Sequence, residues 1–481
     1  MELSLTDLPT DVLLGVMQHV DVPDLLACRL VCKRLGGLAL HPDAWRHRHL
    51  HGDRHTPLAL RLAPCLMLWE LNLVCQGSRP PPALCSATKC AVTQLSIILP
   101  KESDVFELAD RVIRNQAALG RLRGLRLLLL DRFYRIPDDE DAKLLATAVS
   151  TGGLENLAIG GFAGKLPSPA TPALLAGPAP SPSVKTLLVT LTPATEPFVS
   201  FVLAAHAATL EKVTFHGTWG RKLSDSIAAQ LGGLRNLHEL KCEPLPGLQA
   251  VAACKTLRHF SLCVCGFTPG PEDEARRRIL LDAEEFLRRA DQLESVRLGY
   301  DPVDNDVGHF VLSLPARPRL QRLVIADDRP FQRDSDYPHL QPLLAALPSL
   351  TALHHLELNA VLDGLAGAVT AVTAPALRTL KLRPVQGRTP CAHAYLHSRS
   401  MATLLADNPA LQVHVCGRNV CLEVDTCEAC QRHCHQELRC IRWLMKGEKL
   451  SYDCNSVLTP QEYLWINITR YNLLFNNGSR S

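Results

Sequence analysis

The segment Leu353-His-His-Leu-Glu-Leu358 decides the fold, because the same spacing of apolar residues returns along most of the chain. In this L-x-x-L-x-L pattern the last two apolar residues stand two positions apart, which is typical of a short, half-buried strand. The next copies begin at Leu320 on one side and at Leu377 on the other. A pattern that returns at such intervals indicates an array of stacked repeats.

Twelve copies of the pattern can be followed, and their first positions lie 20 to 36 residues apart. They are Val92/Leu95/Ile97, Leu122/Leu125/Leu127, Leu154/Leu157/Ile159, Val184/Leu187/Val189, Leu210/Val213/Phe215, Leu237/Leu240/Cys242, Leu257/Phe260/Leu262, Leu293/Val296/Leu298, Leu320/Leu323/Ile325, Leu353/Leu356/Leu358, Leu377/Leu380/Leu382 and a degenerate Leu411/Val413/Val415. Helical stretches such as 224–231, 284–291 and 340–347 separate them. One strand and one helix cannot bury their apolar sides alone, so neighbouring units must stack. We therefore predict a curved α/β solenoid with its parallel strands on the concave side.

The repeats are irregular. The proline-rich segment 166–183 and the segment 329–338 interrupt them as inserted loops. A polar Asn or Cys is expected eight positions after the first Leu, but this position holds Thr192 in one unit and Asp301 in another. A non-repeat α/β domain is the alternative interpretation.

The first fifty residues predict three short helices with apolar residues on more than one side. The apolar positions Val12, Leu13, Val16, Met17 and Val20 share one helical face. A second helix carries Leu25, Leu26, Cys28, Val31, Cys32 and Leu35, and Trp45 follows a Gly-Gly break. A module of this size is too small to bury all of them, so a partner or the rest of the chain must cover some.

The same residues resemble a known family. Leu8-Pro9, Asp11-Val12-Leu13, Val20, Asp24-Leu25-Leu26, Arg29, Val31-Cys32-Lys33, Leu35, Leu38, Pro42 and Trp45 stand in the order and spacing of an F-box. The family usually has an aromatic residue near Leu35, where this chain departs from it. The repeats resemble the leucine-rich repeats that follow an F-box in one branch of the family. The alternative is a three-helix cap that only packs on the solenoid.

The resemblance implies that the helices bind a Skp-type adaptor, which links the protein to cullin and RING subunits. The adaptor-binding residues that it implies are Leu8, Pro9, Val12, Leu13, Val16, Leu25, Leu26, Val31, Cys32, Leu35 and Trp45. The predicted order is an F-box at 1–50, a linker and N-terminal cap of the solenoid at 51–90, leucine-rich repeats at 91–415 and a cysteine-rich helical cap at 416–481. The expected fold class is α/β, a small helical F-box followed by an irregular leucine-rich-repeat horseshoe.

The strand pattern also predicts which side chains face the groove. The residues at positions four and six of each unit point into the core, so positions three, five and seven point out. Those positions hold the candidate substrate-binding residues Arg126, Lys212, Lys241, Arg297, Arg322, His355, Lys381 and Arg383. Such an array attracts an acidic or phosphorylated protein substrate. Charges that merely keep the strands soluble are the alternative.

The C-terminal region is rich in cysteine. Cys427-Glu-Ala-Cys430 is a two-residue knuckle of the kind that binds zinc, and Cys434 and Cys440 could complete a tetrahedral site. The spacing matches no zinc ribbon, so ordinary free thiols are the main expectation and no cofactor is predicted. The helical segments 439–446 and 460–475 are expected to cap the solenoid.

Composition excludes several functions. The net charge of +3 over 481 residues predicts no bulk nucleic-acid binding. The N-terminus has no secretory signal and no apolar run reaches eighteen residues, so we expect a cytoplasmic or nuclear protein without membrane contact. No phosphate-binding loop, H-E-x-x-H or G-x-S-x-G motif indicates an enzyme.

The predicted function is therefore that of a non-catalytic substrate-recognition subunit of an SCF-type ubiquitin ligase, acting in proteasomal degradation. One alternative is an F-box scaffold with no role in degradation. A second is a leucine-rich interaction protein outside ubiquitin chemistry.

Overall fold

The computed structural model describes residues 8–52, 55–74, 81–100, 104–129, 138–161, 181–217, 223–264, 274–300, 308–314, 318–327, 339–359, 364–383, 398–416 and 449–451. The chain divides into two compact units, Met1–Thr256 and Leu257–Ser481. Within the described residues no helix is both long and apolar enough to cross a membrane.

The first unit begins with helices and continues as alternating strands and helices. The N-terminal helices are α1 (Thr10–His19), α2 (Val22–Val31), α3 (Lys33–Ala39) and α4 (Pro42–Trp45). The later helices are α5 (Thr56–Leu62), α6 (Pro82–Ala87), α7 (Asp104–Ala118), α8 (Asp138–Ser150), α9 (Glu196–Ala205) and α10 (Ser226–Gly232), with a 3-10 turn at Leu248–Ala253. The strands are β1 (His49–Leu50), β2 (Cys65–Asn72), β3 (Ala91–Leu99), β4 (Gly124–Leu129), β5 (Asn156–Gly160), β6 (Thr186–Thr190), β7 (Lys212–His216) and β8 (Glu239–Cys242).

The second unit repeats the same alternation. Its helices are α11 (Glu274–Arg289), α12 (Gly308–Leu312), α13 (Leu340–Ala346) and α14 (Arg399–Asp407), with a 3-10 turn at Leu347–Ser349. Its strands are β9 (His259–Cys263), β10 (Ser295–Tyr300), β11 (Arg322–Asp327), β12 (His355–Asn359), β13 (Thr379–Arg383), β14 (Gln412–Cys416) and β15 (Lys449–Ser451).

Each strand pairs in parallel with the next one along the chain, from β1 to β8 in the first unit and from β9 to β14 in the second. The twelve predicted copies of the pattern are β3 to β14. Leu356 and Leu358 are fully buried, as expected for the inward positions of a half-buried strand. The predicted α/β fold is thus confirmed as a helical N-terminal region followed by a parallel-strand solenoid of leucine-rich-repeat type.

A shared backbone acceptor joins successive strands. The carbonyl of Arg123 accepts from the N–H groups of both Glu155 and Asn156, at 2.7 and 3.0 Å. The carbonyl of Glu294 does the same for Gln321 and Arg322, at 2.9 and 3.1 Å. Further carbonyls with two such donors are those of Arg48, Glu155, Lys185, Glu211, Arg258, Gln321 and His354. Because backbone polar groups in a core must be paired, this step helps to fix the register of the two strands that it joins.

A pair of threonines replaces the polar residue expected after the strand. The N–H of Thr192 donates to Thr195 Oγ1 at 2.8 Å, and the N–H of Thr195 donates to Thr192 Oγ1 at 3.2 Å. Thr370 and Thr373 repeat both bonds at the same distances, in the segment between β12 and β13. The reciprocal bonds of Thr192 and Thr195 satisfy the turn after β6 locally, so this unit needs no Asn or Cys there.

The sheet begins earlier than the sequence boundaries suggest. Strand β1 lies inside the predicted F-box, and β2 lies in the segment 51–90 that was expected to be a linker and cap. The pattern Leu66/Trp69/Leu71 matches L-x-x-L-x-L with a tryptophan in its second position, and all three residues are buried. Residues 65–72 are therefore a repeat strand.

The C-terminal region lies largely outside the described residues. The predicted helices at 439–446 and 460–475 both lie outside them. Earlier in the chain, the predicted loop at 329–338 and nearly all of the predicted loop at 166–183 also lie outside the described residues. Strand β15 is described, and it pairs antiparallel with β14 through Val415 and Leu450. The sequence did not predict a strand there.

Candidate docking surfaces

The N-terminal helices divide their apolar residues between a core and an exposed surface. Val12 and Val16, one turn apart on α1, are 44% and 48% exposed. Leu30 and Val31, at the end of α2, are 80% and 69% exposed. Exposed apolar residues that cluster mark a candidate surface for another protein. We call Pro9, Val12, Val16, Leu30 and Val31 the helix surface.

The structure divides the predicted adaptor-binding set by exposure. Leu13, Leu25, Leu26, Leu35 and Trp45 are buried within the chain, whereas Pro9, Val12, Val16 and Val31 are exposed. Leu8 and Cys32 are half-buried. The Cys32 thiol accepts from the N–H of Leu35 at 3.4 Å and caps α3. Leu30 was missed, although it lies beside Val31 in the sequence.

Arg48 ties the helices to one another. Its Nε donates to the carbonyl of Ala44 at 2.6 Å, and its Nη2 donates to the carbonyl of Met17 at 2.5 Å. Its guanidinium also lies 5.8 Å from the ring centre of Trp45. Burial lowers the pKa of Arg48, and the charge of Asp21 opposes that effect. Arg48 is therefore a structural contact between α1 and α4.

Replacing Arg48 with methionine is expected to loosen α1, because the Met17 carbonyl loses its charged donor while most of the side-chain volume stays. Hydrogen bonds of this kind contribute about 2 kcal/mol. Amide hydrogen exchange of the full chain should show faster exchange in α1. The matched control is Arg46→Met, which removes only an exposed ion pair with Asp43 at 3.2 Å. Equal exchange in the two variants would contradict the role of Arg48.

The open strand face of the first unit carries the predicted cations Arg126, Lys212 and Lys241 on β4, β7 and β8. Lys212 Nζ lies 3.1 Å from Glu239 Oε2 on the next strand. Lys241 also interacts with other groups of the chain. Arg126 is exposed, and it has no ion pair or hydrogen bond with any residue that the structure describes. The predicted array is therefore partly neutralised from within.

A buried carboxylate changes the open face of the second unit. Glu357 on β12 is 3% exposed, and its Oε2 lies 3.7 Å from Arg322 Nη2 and 3.9 Å from His355 Nε2. Lys381 is its register partner on β13. Burial lowers the pKa of His355, while Glu357 raises it and Arg322 and Lys381 lower it further. Glu357 thus offsets the positive charge that the strand pattern predicted.

The remaining candidates are less informative. Arg297 interacts with other groups of the chain, and the side chain of Arg383 lies outside the described residues. The zinc candidates Cys427, Cys430, Cys434 and Cys440 also lie outside them. Among the described residues no cluster of ligands could hold a metal ion. Burial raises the pKa of the Cys90 thiol to about 12, so this cysteine is a structural one.

Comparison with known proteins adds one family. Residues 5–51 match the F-box-like domain family. That match covers α1 to α4 and β1, and leaves the rest of the chain unassigned. No curated protein matches the chain.

Several solved structures are distantly similar. The leucine-rich repeat-containing protein LegL7 from Legionella pneumophila is 15% identical with a TM-score of 0.38, over 71% of this chain and 97% of its own. A TLR13–ssRNA13 complex is 12% identical with a TM-score of 0.35, over 78% and 49%. An internalin, inlF, from Listeria monocytogenes is 14% identical with a TM-score of 0.30, over 62% and 82%. The fold assignment rests on the strand ladder itself.

Proposed function

We propose that this chain is the substrate-recognition subunit of an SCF-type ubiquitin ligase, acting in the cytoplasm or nucleus. The observation that carries the proposal is the exposed helix surface on a domain that matches the F-box-like family. Burying apolar side chains against a Skp-type adaptor stabilises the complex by about 25 cal/mol for each Å² removed from water. Cullin and RING subunits join through the adaptor.

The second part of the proposal is that the solenoid binds the substrate protein. Its open strand faces present side chains at three positions of each strand, with register maintained from one strand to the next. A protein held there is brought close to the activated ubiquitin carrier. Transfer then follows from a raised effective concentration and needs no catalytic residue in this chain.

A point variant tests the proposal better than a deletion, because β1 follows α4 directly and its loss would uncover β2. Cells that express the full chain are compared with cells that express Val12→Asp with Val16→Asp. Proteins captured by both forms should be more abundant and less ubiquitinated in the variant cells. If the full chain binds the adaptor while the captured proteins are equally abundant and equally ubiquitinated in both kinds of cell, the result would support the alternative, an F-box scaffold with no role in degradation.

A further inference from the structure

We propose that the open strand face around Arg126 is a docking site for an acidic side chain in an extended segment of the cargo protein. This inference rests on the proposed function, because it specifies the chemistry of the cargo. It starts from the contrast between Arg126 and two of the other predicted cations, Lys212 and Arg322. Lys212 pairs with Glu239 and Arg322 lies beside Glu357, whereas Arg126 has no such partner among the described residues.

The neighbouring strands supply no carboxylate to Arg126. Its register partners are Ser96 on β3 and Ala158 on β5. Glu155, the residue just before β5, already lies 3.2 Å from Lys185 Nζ and 4.0 Å from Arg123 Nε. The guanidinium of Arg126 is exposed, has five N–H donors and has small neighbours. It can therefore donate hydrogen bonds to a carboxylate of another protein.

Two amide side chains lie near Arg126. Gly124 is buried between Gln94 and Asn156, its register partners on β3 and β5. A Cβ atom at Gly124 would lie 3.2 Å from Gln94 Cγ and 3.8 Å from Asn156 Cβ. The two amide side chains thus flank Gly124, and Gln94 already takes the space that a Cβ atom would need. Both can donate N–H groups to an acceptor that Arg126 holds.

Apolar side chains border the other side. Ile98 and Leu128 are register partners and half-buried. Leu128 leans over Gly160, where an added Cβ would lie 3.0 Å from Leu128 Cδ1. Residues two positions apart on a strand are about 6.6 Å apart on the same face. The spacing from Arg126 to Leu128 therefore fits a cargo segment with an acidic residue and a large apolar residue two positions away.

The charge favours a carboxylate over a phosphate. The third, fifth and seventh positions of β3, β4 and β5 all lie in the described part of the chain. Among the residues at these positions, Arg126 is the single cation. One positive charge balances one carboxylate, whereas a phosphate group carries about two negative charges at neutral pH. A phosphorylated segment would need a second cation that these positions do not provide.

The test uses purified full-length protein, fluorescently labelled, on an array of immobilised ten-residue peptides. Each peptide has a central Glu, Gln, Lys or phosphoserine, with Leu or Ser two positions away. We expect the Glu–Leu peptides to bind most strongly, and Arg126→Gln to weaken that binding by about tenfold. Arg126→Glu should move the preference to the Lys–Leu peptides. The matched control is Arg235→Gln, an exposed arginine before β8, which should change nothing.

Other outcomes would overturn the inference. A stronger signal for phosphoserine than for Glu would exclude the carboxylate assignment. A flat array, in which all peptides give the same binding signal, would exclude Arg126 as the docking residue. Equal binding by the Arg126→Gln variant and the unchanged protein would exclude it as well. Adaptor binding is measured on the same preparation, so that a flat array with intact adaptor binding defeats this inference alone. Specific peptide binding without adaptor binding defeats the ligase proposal alone.

Discussion

Replacing Val12 and Val16 together with aspartate is expected to lower the affinity of the full chain for a purified Skp-type adaptor by about a hundredfold, or about 3 kcal/mol. Both valines lie on one face of α1, and each is almost half exposed. Two carboxylates in an apolar interface lose water without gaining a partner, which costs more than the loss of the methyl groups. Isothermal titration of the adaptor into the full chain measures the change.

The chain provides a matched control. Val372 in the second unit is 86% exposed, so Val372→Asp makes the same substitution once, on a surface outside the N-terminal helices. It should leave adaptor affinity and thermal unfolding unchanged. Leu30→Asp with Val31→Asp should reproduce the loss if the end of α2 belongs to the same interface. Adaptor affinity that survives both double variants would refute the assignment of the helix surface.

Replacing Gly161 with alanine is expected to destabilise the first unit by about 3 kcal/mol, from the left-handed backbone and the clash together. Gly161 follows β5 with a φ of +84°. A Cβ atom there would lie 1.9 Å from the carbonyl oxygen of Leu129 at the end of β4. Backbone atoms cannot move aside as a flexible side chain does, so the two strands must separate locally. Urea unfolding followed by circular dichroism measures the loss.

Gly120→Ala separates the two causes of that loss. Gly120 has a similar φ of +73°, but no atom lies within 4 Å of an added Cβ. This variant should lose only about 1 kcal/mol, from the backbone conformation alone. Gly161→Ala and Gly120→Ala with equal stability would show that β4 and β5 do not approach each other as described.

The repeats could be predicted from the sequence because strand periodicity is a local signal. Leu353, Leu356 and Leu358 lie within six residues of one another, and their burial follows from alternation alone. Strand β2 carries the same signal, but Trp69 stands at a position where the other copies have an aliphatic residue or phenylalanine. Strand β15 carries no such signal, since its pairing depends on a remote partner in β14.

The roles of charged residues could not be predicted in the same way. Arg48 bonds to Met17, which lies 31 positions away in the sequence, and Glu357 meets Arg322 only because β11 and β12 pair in register. The sequence also could not predict which apolar residues of the N-terminal helices are buried. Leu13 and Val12 are adjacent and both apolar, yet one is in the core and the other on the helix surface.

The shared carbonyls give the row of strands a direction. In each such step the acceptor lies at or just before the earlier strand, and the two donors lie at or just before the start of the later strand or within it. A growing polypeptide therefore completes the receiving oxygen before the two amides that will use it. Within either unit, trimming from the C-terminal side releases one oxygen to water, whereas trimming from the N-terminal side strips two adjacent amides of their common acceptor.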